Sequence, residues 1–171
     1  KIGMLSQPGV IRAVAEGLDR YAQRNVVLDP VMVATSGDML LREESVAVLI
    51  SDLLPRAALV TPNLREAARL LQADVAEDQA GMERQAEAIL RLGARAVLVK
   101  GGHGTGPESA DLLVSAHGKR WFHAPRIDTL NTHGTGCTLA SAIAAGLARG
   151  LALEPAVDEA KRYITEAIAA A

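Results

Sequence analysis

The segment NTHGTGCT, residues 131–138, leads directly into a run of small and aliphatic residues, Leu139–Ala148. Glycine at positions 134 and 136 lets the backbone turn tightly, because no Cβ stands in the way, and we expect a side chain at Gly134 to crowd this turn. The first N–H groups of the helix that follows have no acceptor within the helix, and together with the helix dipole they form an anion site. Such a site suits a phosphoryl group, whose oxygens gain charge during transfer.

The segment differs from two common phosphate-binding loops. No G-K-[ST] follows the glycines, which excludes a Walker A loop, and Leu139 stands where a dinucleotide-binding G-x-G-x-x-G motif needs its third glycine. The same residues are also explained by a Gly-rich turn before an ordinary packed helix. The local sequence leaves both interpretations open.

Cys137 lies in the first turn of the predicted helix. The helix dipole favours the thiolate at that position, so the sulfur can act as a base or an anchor beside a reacting hydroxyl. The alternative is a small buried residue with no chemical role, which is the common situation of a lone cysteine.

Short apolar runs alternate with longer amphipathic segments along the rest of the chain. The predicted strands are residues 2–5, 26–28, 58–60, 96–99, 111–115 and 120–124, the last two joined as a hairpin. The predicted helices are residues 9–24, 43–54, 63–71, 79–92, 134–149 and 155–170. This alternation predicts the α/β class, with a mostly parallel sheet covered by helices on both faces. In such folds ligands bind at the carboxyl ends of the strands.

Two charged residues stand at predicted strand ends. Asp29 follows the second strand, and Lys100 closes the fourth strand just before Gly101. A carboxylate in that position can hold a metal ion or orient a phosphate-binding lysine, and a lysine there can reach a phosphate. A turn aspartate and a solvated lysine are the alternatives.

Asn63 and Glu66 follow the third predicted strand and are three residues apart. That spacing is typical of a capping box, in which Asn begins a helix and Glu occupies its third position. It also allows Glu66 to organise Mg²⁺ and its waters near nucleotide phosphates. The spacing alone does not separate the two roles.

Composition excludes several classes of function. The 171 residues carry a net charge of −2 and only 2% aromatic residues, which disfavours binding to nucleic acid. No apolar run is long enough for a membrane span. A single cysteine rules out an internal disulfide and favours a reducing, cytoplasmic compartment. His103 and His133 have no partners at metal-ligand spacing, so no zinc site is predicted.

Taken together, the motifs match a known pattern in order and spacing. They are KIGML at residues 1–5, VLDPVM at 27–32, SGD at 36–38, TPNL at 61–64 with Glu66, VKGGH at 99–103, and APRIDT at 124–129 through GTGC at 134–137. This pattern resembles the hydroxymethylpyrimidine/phosphomethylpyrimidine kinases of the ribokinase superfamily. The cysteine of the last motif is quite specific, since most relatives in that superfamily carry Asp there.

The resemblance implies a three-layer α/β/α ribokinase-like domain over residues 1–171, with ATP and Mg²⁺ as cofactors. The γ-phosphoryl group of ATP would go to the hydroxymethyl group of 4-amino-5-hydroxymethyl-2-methylpyrimidine and then to the resulting monophosphate, in thiamine diphosphate synthesis. A cytoplasmic homodimer is also implied.

The resemblance further assigns roles to particular residues. It implies an anion hole formed by Gly134, Thr135 and Gly136, with Cys137 as the base. The nucleotide would be contacted by Lys100, Gly101, Asn63 and Thr132. The metal would be bound by Asp29 and Glu66, and the pyrimidine would be contacted by Met4 and Val31.

The sequence departs from the family pattern in three places. The family's N-terminal acceptor-binding loop is absent, so we expect an N-terminally incomplete domain, about the C-terminal two-thirds, with one flank of the sheet exposed. Thr35 stands where the family often has lysine, and the C-terminus stops a little short.

Other functions fit parts of the same sequence. A pyridoxal or pyridoxine kinase of the same superfamily is the nearest alternative, since some of these share the Cys-containing loop. A non-catalytic nucleotide-binding chain is a second alternative. An NAD-binding domain is disfavoured, because neither Gly-rich segment fits the dinucleotide fingerprint.

Overall fold

Within the residues that the computed structural model describes (1–33, 40–102, 107–129 and 132–170), five strands form one sheet in chain order. The strands are β1 Val27–Leu28, β2 Leu59–Val60, β3 Ala96–Lys100, β4 Glu108–Ser115 and β5 Gly118–Pro125. The α-helices are α1 Pro8–Arg20, α2 Glu43–Val48, α3 Leu64–Leu71, α4 Gln79–Arg91, α5 Thr135–Ala148 and α6 Leu153–Ala169. The predicted α/β class is confirmed.

The direction of strand pairing changes at β3. β1 pairs with β2 and β2 with β3 in parallel, whereas β3 pairs with β4 and β4 with β5 antiparallel. The sheet is therefore mixed, and its antiparallel part includes the predicted hairpin. Ser115 pairs with Gly118, whose φ of +123° opens β5 directly after a two-residue turn.

The first predicted strand, residues 2–5, is reduced to a single bridge. The Ile2 N–H donates to Val27 O (2.9 Å), and the Asp29 N–H donates to Ile2 O (2.8 Å). The next parallel pairing would need the Asp29 carbonyl and the Val31 N–H. These two groups instead bond to each other at 2.8 Å, so the ladder ends there.

The predicted helix over residues 43–54 is interrupted near its end. After α2 the chain forms a π-helical turn, Leu49–Leu53, and then a 3₁₀ turn, Leu54–Arg56. Pro55 has no N–H to donate to the preceding turn, and its ring crowds the carbonyl four residues earlier. Regular helical geometry is therefore lost before this proline.

Helices cover both faces of the sheet, because successive strand residues point to opposite sides. Leu28, Val60 and Val97 are buried against α1–α4. Val27, Leu59 and Leu98 are buried against α5 and α6. Each such aliphatic side chain contributes about 1.5–3 kcal/mol on burial, and the result is the expected three-layer arrangement. No helix in the described ranges has the length and apolarity needed to cross a membrane.

Candidate active site

Polar residues at the ends of three adjacent strands meet at one edge of the sheet. The Lys100 ammonium lies 2.8 Å from Asp29 Oδ1, and the Thr61 hydroxyl donates to the same oxygen at 3.2 Å. The Asp29 side chain is 1% exposed and that of Lys100 is 12% exposed. The structure therefore brings Asp29 and Lys100 together at this edge of the sheet.

Neighbouring positive charges favour the ionised form of the Asp29 carboxylate. Burial opposes its charge, but the charge and hydrogen bond of Lys100, aided by Lys1, outweigh burial and lower the pKa of Asp29 below its ordinary value. Asp29 Oδ2 is buried, lies 3.4 Å from Lys1 Nζ, and receives no well-formed hydrogen bond from the described residues. This oxygen has acceptor capacity to spare.

Lys100 also reaches the beginning of α5. A Cβ placed on Gly136 would lie 3.1 Å from Lys100 Nζ, so glycine makes room for the ammonium there. Gly134 caps the helix in the left-handed region (φ +78°), and within the described ranges no side chain caps it. The Thr135 hydroxyl donates to the Thr132 carbonyl at 2.9 Å, which closes the turn. A lysine charge and the positive end of a helix thus face the same space.

The surroundings of Cys137 differ from the expectation. The thiol is exposed, so a small buried residue is excluded. Partial desolvation and the nearby Asp29 carboxylate, only partly offset by Lys1, raise the pKa of Cys137. The expected net stabilisation of the thiolate is wrong, because desolvation and the neighbouring Asp29 carboxylate both disfavour the charged sulfur.

Asn63 and Glu66 form the capping box that their spacing predicts. The Asn63 side chain accepts from the Glu66 N–H at 2.9 Å, and Glu66 Oε2 accepts from the Asn63 N–H at 2.7 Å. Glu66 is nonetheless part of the strand-end cluster. Burial raises its pKa, Lys100 acts in the opposite direction, and Asp29 adds to the increase.

Gly101 is required by a close approach of two strands. A Cβ at this position would lie 2.1 Å from the Ala110 carbonyl oxygen. The Gly101 N–H donates to Asp111 Oδ1 at 2.9 Å, and Lys161 Nζ lies 2.7 Å from Asp111 Oδ2. The sequence analysis assigned no role to Asp111, Lys161, Thr61 or Lys1, because their contacts join residues far apart in the chain.

The two predicted pyrimidine-contacting residues lie beyond the carboxyl end of β1. Met4 is 49% exposed, and Val31 is half-buried. Their role stays a prediction. His103, Asn131 and the 34–39 loop with Thr35 and the SGD motif fall outside the described residues.

The described residues include no group of three or more His, Cys, Asp or Glu side chains that would hold a metal ion. Any Mg²⁺ here would rest on one or two carboxylates, with water and phosphate oxygens completing its shell, which is the usual arrangement for this ion.

Comparison with known proteins identifies the family of this chain. A family model described as phosphomethylpyrimidine kinase matches residues 1–171. The chain belongs to the phosphomethylpyrimidine kinase family. It is 57% identical to the hydroxymethylpyrimidine/phosphomethylpyrimidine kinase of Rhizobium meliloti (strain 1021) and 50% identical to that of Escherichia coli (strain K12). Each match covers 100% of this chain and 64% of the relative, so this kinase-family chain spans less than two-thirds of their length.

Solved structures agree with the family and the ribokinase-like fold. The phosphomethylpyrimidine kinase of Clostridium difficile 630 is 40% identical, with a TM-score of 0.83 over 98% of this chain and 67% of that one. The pyridoxal kinase of Staphylococcus aureus in complex with AMP-PCP is 33% identical, with a TM-score of 0.90 over 97% of this chain and 60% of that one.

The first prediction concerns the Cys137 thiol, the chain's single cysteine. We expect its alkylation rate by iodoacetamide to follow a pKa above the ordinary cysteine value of about 8.5. In Asp29→Asn that pKa should fall, because the repelling carboxylate is gone while Lys1 and Lys100 keep their charges. An equal or higher pKa in Asp29→Asn would contradict the assigned cause.

The second prediction concerns Gly134. A Cβ there would lie within 4 Å of no atom of the described residues, so the constraint on alanine is the positive φ, and the crowding expected of a larger side chain stays a prediction. Gly134→Ala should lower the free energy of unfolding in urea by about 1–2 kcal/mol.

Gly17→Ala is the matched control for Gly134→Ala. Gly17 lies inside α1, where an added Cβ would likewise be more than 4 Å from the atoms that the structure describes around it. Alanine there should stabilise by roughly 0.5–1 kcal/mol, because φ is already helical. Equal effects of the two substitutions would refute the strain argument.

Proposed function

We propose that the protein transfers the γ-phosphoryl group of ATP to the hydroxymethyl group of 4-amino-5-hydroxymethyl-2-methylpyrimidine and then to its monophosphate. The observation that carries this proposal is the position of the Lys100 ammonium. It lies 2.8 Å from Asp29 Oδ1 and directly beside Gly136 in the first turn of α5. A fixed cation and the positive end of a helix then act on the same phosphoryl oxygens.

Each neighbouring group has a definite task in this reaction. The backbone of Gly134, Thr135 and Gly136 would bind the phosphoryl oxygens, and Lys100 would neutralise part of their charge. Asn63, Gly101 and Thr132 would lie along the nucleotide. Met4 and Val31 would contact the pyrimidine ring through their apolar side chains.

Cys137 is the proposed base. As the acceptor oxygen forms its bond to the γ-phosphorus and the bond to the ADP oxygen breaks, the thiolate takes the hydroxyl proton. Because desolvation and Asp29 raise the pKa of the thiol above its ordinary value, the thiolate is the minor form at neutral pH. Turnover should therefore increase as the pH rises through the pKa of Cys137.

Asp29 and Glu66 fit a magnesium ion. Asp29 Oδ2 is a buried carboxylate oxygen without a well-formed hydrogen bond from the described residues, and oxygen ligands of this kind suit Mg²⁺. When bound, the ion would neutralise charge on the transferred group. The homodimer and the cytoplasmic location implied by the family resemblance stay predictions.

A pyridoxal-type acceptor is the second candidate. It is favoured by the fold match to the Staphylococcus aureus pyridoxal kinase, with a TM-score of 0.90 and 33% identity. Both acceptors are heteroaromatic rings that carry a hydroxymethyl group, so the phosphate side of the site serves either one.

The third prediction tests the reaction and its base together. The chain is incubated with ATP, Mg²⁺ and either hydroxymethylpyrimidine or pyridoxal, and ADP release is followed. We expect faster release with the pyrimidine, and a kcat lower by about two to four orders of magnitude in Cys137→Ala, with ADP affinity nearly unchanged.

Several outcomes of that assay decide between the functions. Faster release with pyridoxal would replace the proposed acceptor. ATP binding without release under either condition would favour a non-catalytic nucleotide-binding chain. Unchanged kcat in Cys137→Ala would remove Cys137 from the mechanism, and Ser141→Ala, one turn further along the helix, serves as the matched control.

A further inference from the structure

One buried ion pair takes no part in the reaction proposed above. Asp111 on β4 is 3% exposed and Lys161 on α6 is 7% exposed, and Lys161 Nζ lies 2.7 Å from Asp111 Oδ2. The ammonium also donates to Ser109 Oγ at 3.0 Å. A buried ion pair contributes little net stability compared with apolar side chains of similar size, so stability alone is a weak reason for its presence.

The second oxygen of Asp111 connects the pair to the phosphate side of the candidate site. Oδ1 accepts the Gly101 N–H at 2.9 Å, and Asp111 lies opposite Lys100 in the β3–β4 register. Each carboxylate oxygen therefore has a different partner. Oδ2 pairs with the Lys161 ammonium, and Oδ1 accepts the N–H of Gly101, the residue after Lys100. A carboxylate fixed by a buried cation has little freedom to rotate away from that peptide.

The turn after Lys100 is held at its next peptide as well. The Arg126 guanidinium donates to the Gly102 carbonyl and, at 2.9 Å, to the Glu108 carbonyl. Gly101 is also in close contact with the Ala110 carbonyl oxygen, where a Cβ would lie 2.1 Å away. The backbone around Lys100 is thus fixed to β4 and to Arg126, the residue after β5.

Lys161 reaches the same region from the helical layer. It belongs to α6, which packs on α5 through the core beneath the sheet. The pair therefore joins the end of β3, which carries Lys100, to the helix layer that contains α5, whose N-cap is Gly134.

We infer that Asp111 and Lys161 are a positioning pair that fixes the Gly101 peptide, and through it Lys100, for the phosphates of the nucleotide. The inference rests on the proposed function only in taking a nucleotide phosphate as the ligand. Neither residue touches the reacting atoms, so both act through Gly101 and Lys100.

The fourth prediction uses Asp111→Leu combined with Lys161→Met, which removes the acceptor and leaves no unpaired buried charge. We expect hydrogen exchange of the Gly101 amide to become about tenfold faster, the equivalent of one lost charge-assisted hydrogen bond. The affinity for ADP with Mg²⁺, measured by calorimetry, should fall by a similar factor. The Val97 amide in the middle of β3 should keep its protection.

Two further variants control this measurement. Asp111→Asn retains an oxygen for the Gly101 N–H and should preserve most of that amide's protection. Glu159→Gln removes the exposed pair between Arg149 and Glu159, which joins the end of α5 to α6, and should change neither readout. If the double variant does not fold, Lys161→Met alone provides the test, because Asp111 then lacks the cation that fixes it.

The readouts separate positioning from a purely structural role. A lower melting temperature with unchanged Gly101 exchange and unchanged ADP affinity would overturn the inference. If the parent chain does not bind ADP, the proposed function fails, and Gly101 exchange alone decides whether the pair fixes that peptide.

Discussion

The ion pair between Asp29 and Lys100 is the interaction on which the rest of the site depends. Both side chains are largely removed from water at the carboxyl ends of β1 and β3, the two parallel neighbours of β2, and each charge compensates the burial of the other. Because the pair is fixed by the sheet, the ammonium projects to one place beside the first turn of α5. Removing either partner would leave the charge of the other buried without its counter-ion.

The fold explains why these groups meet. Parallel pairing of β1, β2 and β3 brings their carboxyl ends to one edge, so Asp29 and Lys100 become neighbours despite 71 residues of separation. On one face, α5 begins near that edge with its positive end, and Gly136 allows it to approach the lysine. Anion binding, carboxylate burial and helix packing are therefore parts of one arrangement.

Much of this arrangement was predictable from local sequence. The alternation of apolar runs indicated the elements of the fold, and the spacing of Asn63 and Glu66 indicated the capping box, because these signals act within a few residues. The reduction of residues 2–5 to one bridge depended on a hydrogen bond between Asp29 and Val31, which no periodicity reports.

The sequence was least informative about long-range electrostatics. The dipole of α5 alone predicts a stabilised thiolate at Cys137, but partial desolvation and the Asp29 carboxylate raise the pKa of the thiol, and Asp29 lies more than a hundred positions earlier in the chain. The pairing of Asp111 with Lys161 joins a strand to a helix fifty residues later. Local patterns cannot contain such contacts, since they arise only after the layers pack together.

The central claim is that Lys100, held by Asp29, binds the phosphates of the nucleotide. It is tested most directly by calorimetric titration of ADP and Mg²⁺ into Lys100→Met, with thermal unfolding used to confirm that the variant is folded. Lys119→Met is the matched control, because Lys119 pairs with Glu83 and Glu87 on an exposed surface. We expect the affinity for ADP to fall by about ten- to a hundredfold in Lys100→Met, as for a lost hydrogen bond to a charged group, and to be unchanged in Lys119→Met. Equal affinity in both variants and the parent chain would contradict this claim.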